Sequence, residues 1–165
     1  MSGSGRKPKL IAFDLDYTLW PFWVDTHVDP PFRKHEKGHI VDARNRKVKP
    51  YPEVTEILKS LKDEGYIIGV ASRTSEIRGA NQLLELLDWD KYISYKEIYP
   101  GSKDHHFLRI KENSRLEYSD MLFFDDEHRN LKDLSRIGVL MILVPDGVNK
   151  DLIKKGLEEY AKCRS

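Results

Sequence analysis

Two carboxylates stand one residue apart directly after an apolar run near the start of the chain. Asp14 and Asp16 follow the apolar residues 10–13, and Thr18 lies two positions further on. Such a run is typical of a buried strand, and open α/β sheets bind ligands where their strands end. Two close carboxylates raise each other's pKa unless a cation lies between them. The pair therefore indicates a bound metal, an acid kept protonated for proton transfer, or both, whereas a helix N-cap or Asx-turn would explain only one aspartate.

Two further polar side chains follow later strand-like or turn-like segments. Ser72 ends the apolar run 67–71, and Lys103 comes directly after the turn 99–102. A hydroxyl beside the free N–H groups of a helix start can hold a phosphate oxygen, although Ser72 would serve equally well as a helix cap. Lys103 could act as a point charge against a phosphoryl group, although a lone lysine is more often a surface residue.

A second acidic pair resembles the first in its position after an apolar run. Asp125 and Asp126 follow residues 121–124, all of which are apolar. Acidic clusters at two neighbouring strand ends supply the oxygen ligands that Mg²⁺ prefers and leave room for substrate oxygens.

The segments around these residues alternate between strand and helix patterns. Strands are predicted at 10–15, 66–71, 92–98, 120–124 and 139–144, and helices at 52–64, 75–87, 103–112, 130–137 and 148–162. Ser75 is the expected N-cap of the second helix, and Ile77 is expected to face the core. Apolar strands alternating with amphipathic helices predict an α/β fold, a Rossmann-like parallel sheet with helices on both faces.

The segment from Trp20 to Pro50 interrupts this alternation. It contains several prolines and a basic centre without helical periodicity, and it is too long for an ordinary connection. We predict a functional insertion after the first strand, a small β-hairpin over the site, and no large cap domain. Trp20, Phe22 and Trp23 would form either an aromatic wall for the substrate or the packed base of this insertion.

Composition sets the remaining limits. A chain of 165 residues predicts one domain over 1–165, and a net charge of +1 favours neither nucleic acid nor an anionic membrane as a partner. The single cysteine, Cys163, fits a reducing compartment, and residues 1–9 lack the apolar stretch of a signal peptide. We therefore expect a monomer in the cytoplasm, with a nuclear location left open.

The order of these elements resembles that of the haloacid dehalogenase-like phosphohydrolases. Asp-x-Asp-x-Thr after the first strand is followed by Ser after the second, Lys after a later turn and Asp-Asp after a further strand. The local sequences are similar to those of the eukaryotic magnesium-dependent phosphatase branch: Phe-Asp-Leu-Asp-Tyr-Thr-Leu-Trp-Pro, Ser-Arg-Thr-Ser, Tyr-Pro-Gly-Ser-Lys and Phe-Phe-Asp-Asp-Glu.

The resemblance implies roles that the chemistry of the residues also supports. Asp14 would attack phosphorus and form an aspartyl-phosphate, while Mg²⁺ allows the two anions to approach. Asp16 would act first as general acid and then as general base, and its backbone carbonyl would bind the metal. Lys103 would neutralise charge on Asp14 and on the phosphate together.

The remaining roles concern binding. Ser72 and the N–H of Arg73 would hold the phosphoryl oxygens, and Trp20 would contact the substrate. Asp126 would bind Mg²⁺ directly, whereas Asp125 would bind it through water or orient its neighbours.

The resemblance thus implies a Mg²⁺-dependent phosphomonoester hydrolase. Its expected substrates are phosphotyrosine-like aryl phosphates and phosphorylated sugar adducts of proteins, so its partners would be phosphorylated small molecules or proteins. A phosphotransferase of the same superfamily, a receiver-type phosphoacceptor domain and a binding module with a vestigial site are the alternatives. A receiver lacks a general acid two residues from its phosphorylated aspartate, so Asp16 favours the hydrolase.

Overall fold

The computed structural model describes residues 6–164, in which eight strands and five helices alternate. The strands are β1 (Leu10–Phe13), β2 (Arg33–Lys34), β3 (Ile40–Val41), β4 (Lys47–Val48), β5 (Ile67–Ser72), β6 (Tyr95–Ile98), β7 (Met121–Asp125) and β8 (Leu140–Leu143). The helices are α1 (Val54–Asp63), α2 (Ile77–Leu86), α3 (Lys103–Ser114), α4 (Asn130–Ile137) and α5 (Lys150–Arg164), and a short 3₁₀ turn covers Tyr118–Asp120.

Five parallel strands form the central sheet in the order β6-β5-β1-β7-β8. The central strand β1 places Leu10 opposite Ile67 of β5 on one side and opposite Met121 of β7 on the other. Because all three strands run in the same direction from this register, the residues that follow them emerge at one edge of the sheet.

Helices cover both faces of this sheet, so the apolar strands are buried on both sides. Ile11 and Phe13 pack into a core with α1, α2 and α5, whereas Leu10 and Ala12 pack against α3 and α4. This alternation explains the uninterrupted apolar run of β1. The predicted α/β, Rossmann-like parallel sheet is confirmed.

The start of α2 differs from the prediction. Glu76, not Ser75, is the N-cap, and its carboxylate accepts a hydrogen bond of 3.0 Å from the N–H of Gly79. Ile77 is 40% exposed and does not face the core as predicted. The helix therefore begins two residues later than expected, and Ile77 is its first residue, at the exposed end.

The predicted hairpin insertion is larger than expected. It contains a three-stranded antiparallel sheet in the order β2-β3-β4, with Lys34 opposite Ile40 and Ile40 opposite Val48. Ile40 and Val48 extend the core on the face of α1 and α2. The sheet was not predictable as such, because each of its strands contains only two residues.

None of the helices within residues 6–164 is long and apolar enough to cross a bilayer. The predicted domain, 1–165, and the polar segment at its start extend beyond the described residues.

Candidate active site

A polar cavity of about 650 Å³ lies at the edge where the central strands end. Its lining includes six of the eight side chains that the sequence assigned to the site: Asp14, Asp16, Ser72, Arg73, Lys103 and Asp126. The parallel strands bring these residues together from positions up to 112 residues apart in the chain. Asp125 lies directly behind the cavity, and Trp20 lies in the core.

Asp14 is buried at the floor of the cavity. One of its oxygens accepts a hydrogen bond of 3.2 Å from Lys103 Nζ, and the other lies 3.5 Å from Thr18 Oγ1. Burial raises the pKa of Asp14 well above its usual value, Lys103 opposes this effect, and the charge of Asp125 adds to it. Lys103 therefore does not fully offset the effects of burial and of Asp125 on the pKa of Asp14.

Asp125 is fully buried and saturated with hydrogen bonds. It accepts bonds from Lys103 Nζ at 2.9 Å, from Asn130 Nδ2 at 2.6 Å and from the N–H of Glu127 at 3.0 Å. Burial opposes its ionisation, but Lys103 and these donors together lower its pKa. Sequence analysis did not identify Asn130, because a single asparagine at a helix start carries no distinctive signal.

Lys103 is the cation shared by the two aspartates. Its side chain is only 2% exposed, which makes it a buried lysine rather than a surface one. Burial favours the neutral amine, but Asp14 and Asp125 outweigh that effect and raise the pKa of Lys103. The amine remains a cation at the floor of the cavity.

Trp20 is the predicted site residue that the structure does not place in the cavity. Its indole is 1% exposed and stacks on Trp89 with ring centroids 6.4 Å apart. The prediction that Trp20 contacts substrate is not supported, because the indole is buried and does not line the cavity. Trp20 instead donates a hydrogen bond of 2.8 Å from Nε1 to Asp16 Oδ1.

Asp16 is held by two donors that bind the same oxygen. The N–H of Val24 reaches Oδ1 at 3.1 Å, beside the bond from Trp20. Burial raises the pKa of Asp16 to about 6, although both hydrogen bonds act in the opposite direction. A carboxyl of this kind can hold a proton near neutral pH and face the cavity in a fixed orientation.

Asp14, Asp125 and Asp126 form a group suited to a hard cation. One oxygen of each lies within 4.8 Å of the others. Burial is the first cause that raises the pKa of Asp126 to about 6, and Asp125 adds to it. A divalent cation among these oxygens would favour the ionised forms. Because Asp126 lines the cavity and Asp125 does not, Asp126 is the better placed for direct contact with a metal.

Ser72 and Arg73 lie across the cavity from the second acidic pair. Ser72 is 1% exposed, and its Oγ accepts a hydrogen bond of 3.3 Å from the N–H of Thr74. Its hydroxyl hydrogen can therefore point toward an anion in the cavity. Arg73 also lines the cavity and is half-buried.

The mouth of the cavity contains an aromatic group that the sequence only partly identified. Trp23 lines the cavity and is 50% exposed. It stacks on His27 with ring centroids 5.1 Å apart and meets Tyr17 edge-on at 5.9 Å. Sequence analysis gave Trp20, Phe22 and Trp23 one common role, either an aromatic wall or the packed base of the insertion, whereas the structure buries Trp20 and exposes Trp23.

Other polar lining residues were not predicted. They are Asp25, Thr26, Thr74, Glu127 and Arg129. Thr74 and Glu127 lie within the local sequences that carry the resemblance, but no role was assigned to them. The other three lie in loops, where polar residues are common.

Comparison with known proteins agrees with this geometry. The model of the acid phosphatase family matches residues 6–163. The chain is 54% identical over 160 residues to the human protein named magnesium-dependent phosphatase 1, covering 97% of this chain and 91% of the relative. It is 38% identical over 146 residues to an HAD-like hydrolase superfamily protein of Schizosaccharomyces pombe, covering 82% and 84% of the two chains.

A solved structure supports the fold. The 3-deoxy-D-manno-octulosonate 8-phosphate phosphatase of Moraxella catarrhalis, determined with magnesium, phosphate and KDO, superposes with a TM-score of 0.57 at 19% identity. The match covers 95% of this chain and 87% of that one. On the strength of the family model and of these relatives, the chain belongs to the acid phosphatase family, among the magnesium-dependent phosphatases of the haloacid dehalogenase-like superfamily.

Proposed function

We propose that this protein hydrolyses phosphomonoesters through an aspartyl-phosphate on Asp14, with Mg²⁺ as cofactor. The observation that carries the proposal is the position of Asp14 at the floor of the cavity, beside Lys103 and within reach of Asp16, Ser72 and Asp126. The cavity is then lined by four kinds of group: a nucleophile, a proton donor, a phosphate-binding hydroxyl and a cation.

In the first step, a carboxylate oxygen of Asp14 attacks phosphorus, and the bond from phosphorus to the leaving oxygen breaks. Asp16 gives its proton to that oxygen, so the leaving group departs as an alcohol or phenol. The hydrogen bonds from Trp20 and Val24 keep the Asp16 carboxyl oriented for this transfer. Ser72 and the N–H of Arg73 hold the other phosphoryl oxygens.

In the second step, a water molecule attacks the phosphorus of the aspartyl-phosphate. Asp16, now a carboxylate, accepts the proton of that water, and the bond from phosphorus to Asp14 breaks. Inorganic phosphate and the free Asp14 carboxylate result. Lys103 stabilises negative charge on Asp14 in both steps because its Nζ lies 3.2 Å from that carboxylate.

The Mg²⁺ site would comprise Asp14, Asp126 and the backbone carbonyl of Asp16, with Asp125 bound through water or orienting its neighbours. When bound, the ion would reduce the repulsion between the carboxylates and an anionic phosphate. Asp125 fits the supporting role, because its oxygens already accept three hydrogen bonds from protein groups.

For substrates, we propose phosphotyrosine-like aryl phosphates, with phosphorylated sugar adducts of proteins as the other class. The exposed indole of Trp23 at the cavity mouth supports the aryl class, since an aromatic leaving group could stack there. Arg73 would contact the same substrate. Phosphorylated small molecules and proteins would both have access.

We further propose that the phosphatase domain spans 1–165, with 20–50 as its insertion. We also propose that the protein acts as a monomer and that it is located in the cytoplasm, with a nuclear location as the alternative. Cys163, the only cysteine, is an exposed free thiol, which a reducing compartment preserves. Trp23, Asp25 and Thr26 support the insertion's role at the site, because they line the cavity.

The first test measures phosphate release from p-nitrophenyl phosphate with Mg²⁺ and with a chelator. We expect turnover only with Mg²⁺ and a loss of about a thousandfold or more in Asp14→Asn, since its amide cannot act as a nucleophile. The matched control is Asp63→Asn, an exposed aspartate of α1 paired with Lys59, which should keep full activity. A stable phosphoprotein without turnover would instead favour the receiver-type alternative.

The role of Asp16 is tested by changing the leaving group. Asp16→Asn should slow the hydrolysis of an alkyl phosphate more than that of p-nitrophenyl phosphate, because p-nitrophenolate departs without a proton. Equal losses on both substrates would contradict the assignment of Asp16 as general acid.

A further inference from the structure

His106 is a buried histidine that the proposed reaction does not use. It lies in the first turn of α3, is 0% exposed, and extends beneath the segment that carries Ser72. Its Nδ1 is 2.9 Å from the carbonyl oxygen of Ser102, and its Nε2 is 2.9 Å from that of Ser72 and 2.7 Å from that of Tyr99. Both ring nitrogens therefore face backbone carbonyl groups.

These contacts determine which atoms must carry hydrogen. A carbonyl oxygen only accepts hydrogen bonds, whereas a neutral imidazole has one N–H and one nitrogen with a lone pair. In either neutral tautomer, one nitrogen would direct its lone pair at a carbonyl oxygen less than 3 Å away. Only the doubly protonated ring donates at both nitrogens and satisfies all three contacts.

We propose that His106 is an imidazolium cation and a positioning residue that fixes Ser72 and Lys103 for phosphate binding. The proposal rests on the proposed function insofar as Ser72 and Lys103 bind the phosphoryl group. The ring connects three segments: the end of β5 at Ser72, the turn at Tyr99 and the N-cap of α3 at Ser102. Lys103 directly follows that N-cap, so the same contacts hold both phosphate-binding residues.

An aromatic ring and three carbonyl groups surround the imidazole. Tyr99 stacks on His106 with ring centroids 4.4 Å apart and donates its own hydroxyl to Glu97 at 2.6 Å. The charged groups around the two stacked rings are Glu97, beside Tyr99, and Lys103 and Arg109 on α3. The ring of His105 meets Tyr99 edge-on. Among the described residues, His106 has no carboxylate partner, so the three carbonyl dipoles must stabilise its charge.

The position of this cation is unfavourable for the helix itself. Lys103 and His106 both lie in the first turn of α3, where the helix dipole disfavours positive charge. Helix stability therefore does not explain two cations at this end. Lys103 is held at this end by Asp14 and Asp125, and the contacts of His106 fix the segments that carry Ser72 and Lys103.

The charge state is tested by ¹⁵N NMR of the ring nitrogens in the full wild-type chain at pH 8. We expect two N–H type nitrogens for His106, whereas one imine-type nitrogen would overturn the proposal. None of the other five histidines is buried, so His→Gln variants of those five assign the His106 signals by elimination even if His106 variants fail to fold.

The positioning role is tested by calorimetric binding of inorganic phosphate to the Mg²⁺-loaded protein. His106→Phe keeps the ring but loses both donors, and it should weaken phosphate binding about tenfold or more, as loss of charge-assisted hydrogen bonds predicts. His106→Gln, which retains one donor group, should recover part of that affinity. His105→Gln is the matched control, an exposed neighbour on the same helix, and should stay within about twofold of wild type.

A purely structural role would lower the melting temperature of His106→Phe without changing phosphate affinity in the folded protein, and that result would contradict the proposal. Neither measurement requires turnover. If the wild type failed to hydrolyse p-nitrophenyl phosphate, the proposed function would fail while the charge state and phosphate affinity would still decide the role of His106.

Discussion

Two of the centres in which a buried aspartate meets a cation differ in their balance of charge. At the end of the central sheet, Asp14 and Asp125 share Lys103. In the insertion, Asp42 pairs with Arg46 at 2.8 Å. The side chains of Asp42 and Asp125 are both 0% exposed, so burial alone does not distinguish the two centres.

Hydrogen-bond donors of the protein satisfy both carboxylate oxygens of Asp42. It accepts hydrogen bonds from the N–H groups of Asp29, Arg44 and Arg46 at 2.9–3.1 Å. Burial raises the pKa of Asp42, but these backbone donors and the Arg46 guanidinium more than offset it and lower the pKa to about 2. At the other centre the pKa of Asp14 remains raised. The two centres therefore differ in how far their donors and cations offset the effect of burial on the pKa of an aspartate.

The largest effect on stability should come from removing the shared cation. Lys103→Met leaves two buried aspartates without their shared cation, and we expect a loss of about 3–5 kcal/mol in the free energy of unfolding. Arg46→Met should cost only about 1–2 kcal/mol, because its guanidinium is half exposed and the backbone donors of Asp42 remain. Urea titration of both variants measures the difference, and equal losses would remove the distinction between the centres.

Asp42→Ala should cause the next largest loss of stability. It leaves three backbone N–H groups without their acceptor in the fold of the insertion, which should cost about 2–4 kcal/mol. Activity per folded molecule should remain within about twofold of wild type, since Asp42 does not line the cavity. Thermal unfolding and p-nitrophenyl phosphate turnover test the two statements separately. A large loss of activity in fully folded Asp42→Ala protein would show that Asp42 belongs to the active site.

These two centres also show what the sequence could predict. The apolar runs of β1, β5 and β7 predicted where three strands end, and parallel pairing requires those ends to meet. The proximity of Asp14 to Lys103, 89 positions apart, followed from that topology together with the family resemblance. The aspartate–lysine centre was therefore accessible from sequence, although the roles of its residues remain predictions.

The centre at Asp42 was not accessible, because strands of two residues have no periodicity and the donors of Asp42 come from irregular loops. Trp20 is buried and Trp23 is exposed, and no sequence pattern distinguished the two. The positive φ of the nearby Tyr17 was also not predictable, because tyrosine rarely adopts it. The contacts of His106 combine one local carbonyl with one 34 positions away, which no local pattern reveals.

Mg²⁺ should stabilise the protein by binding at the centre formed by Asp14, Asp125 and Asp126, and not at Asp42. At a concentration of about 100 times its Kd, a ligand of the folded state adds about 2.7 kcal/mol to the free energy of unfolding. We expect a rise in melting temperature for the wild type and for Asp42→Asn, and little or none for Asp126→Asn. Differential scanning fluorimetry with Mg²⁺ and with chelator measures it. An equal rise in all three proteins would place the binding site elsewhere.

Two buried tryptophans extend the comparison to hydrogen-bond donors. Trp20 Nε1 donates to Asp16 at 2.8 Å, and Trp89 Nε1 donates to Thr55 at 2.9 Å. Both changes to Phe should cost similar stability, but Trp20→Phe should also lower kcat on an alkyl phosphate about tenfold, the scale of one hydrogen bond to a charged group. Steady-state kinetics on folded protein measure this. Equal kcat in Trp20→Phe and Trp89→Phe would mean that Trp20 only packs the core.

The smallest of these effects should be the contribution of Asp42 to the pH dependence of the free energy of unfolding. Its pKa is about 2 in the folded protein and about 3.9 in an unfolded chain, so the unfolded state binds more protons between these values. The stabilisation is therefore fully present above about pH 4 and is lost as the pH falls toward 2, with a slope of at most about 1.4 kcal/mol per pH unit. Asp42→Asn removes this group from titration, so its unfolding free energy should fall less steeply than that of the wild type over this range. Parallel curves for the two proteins would show that the donors around Asp42 do not hold its charge, and the contrast between the two centres would then rest on Lys103 alone.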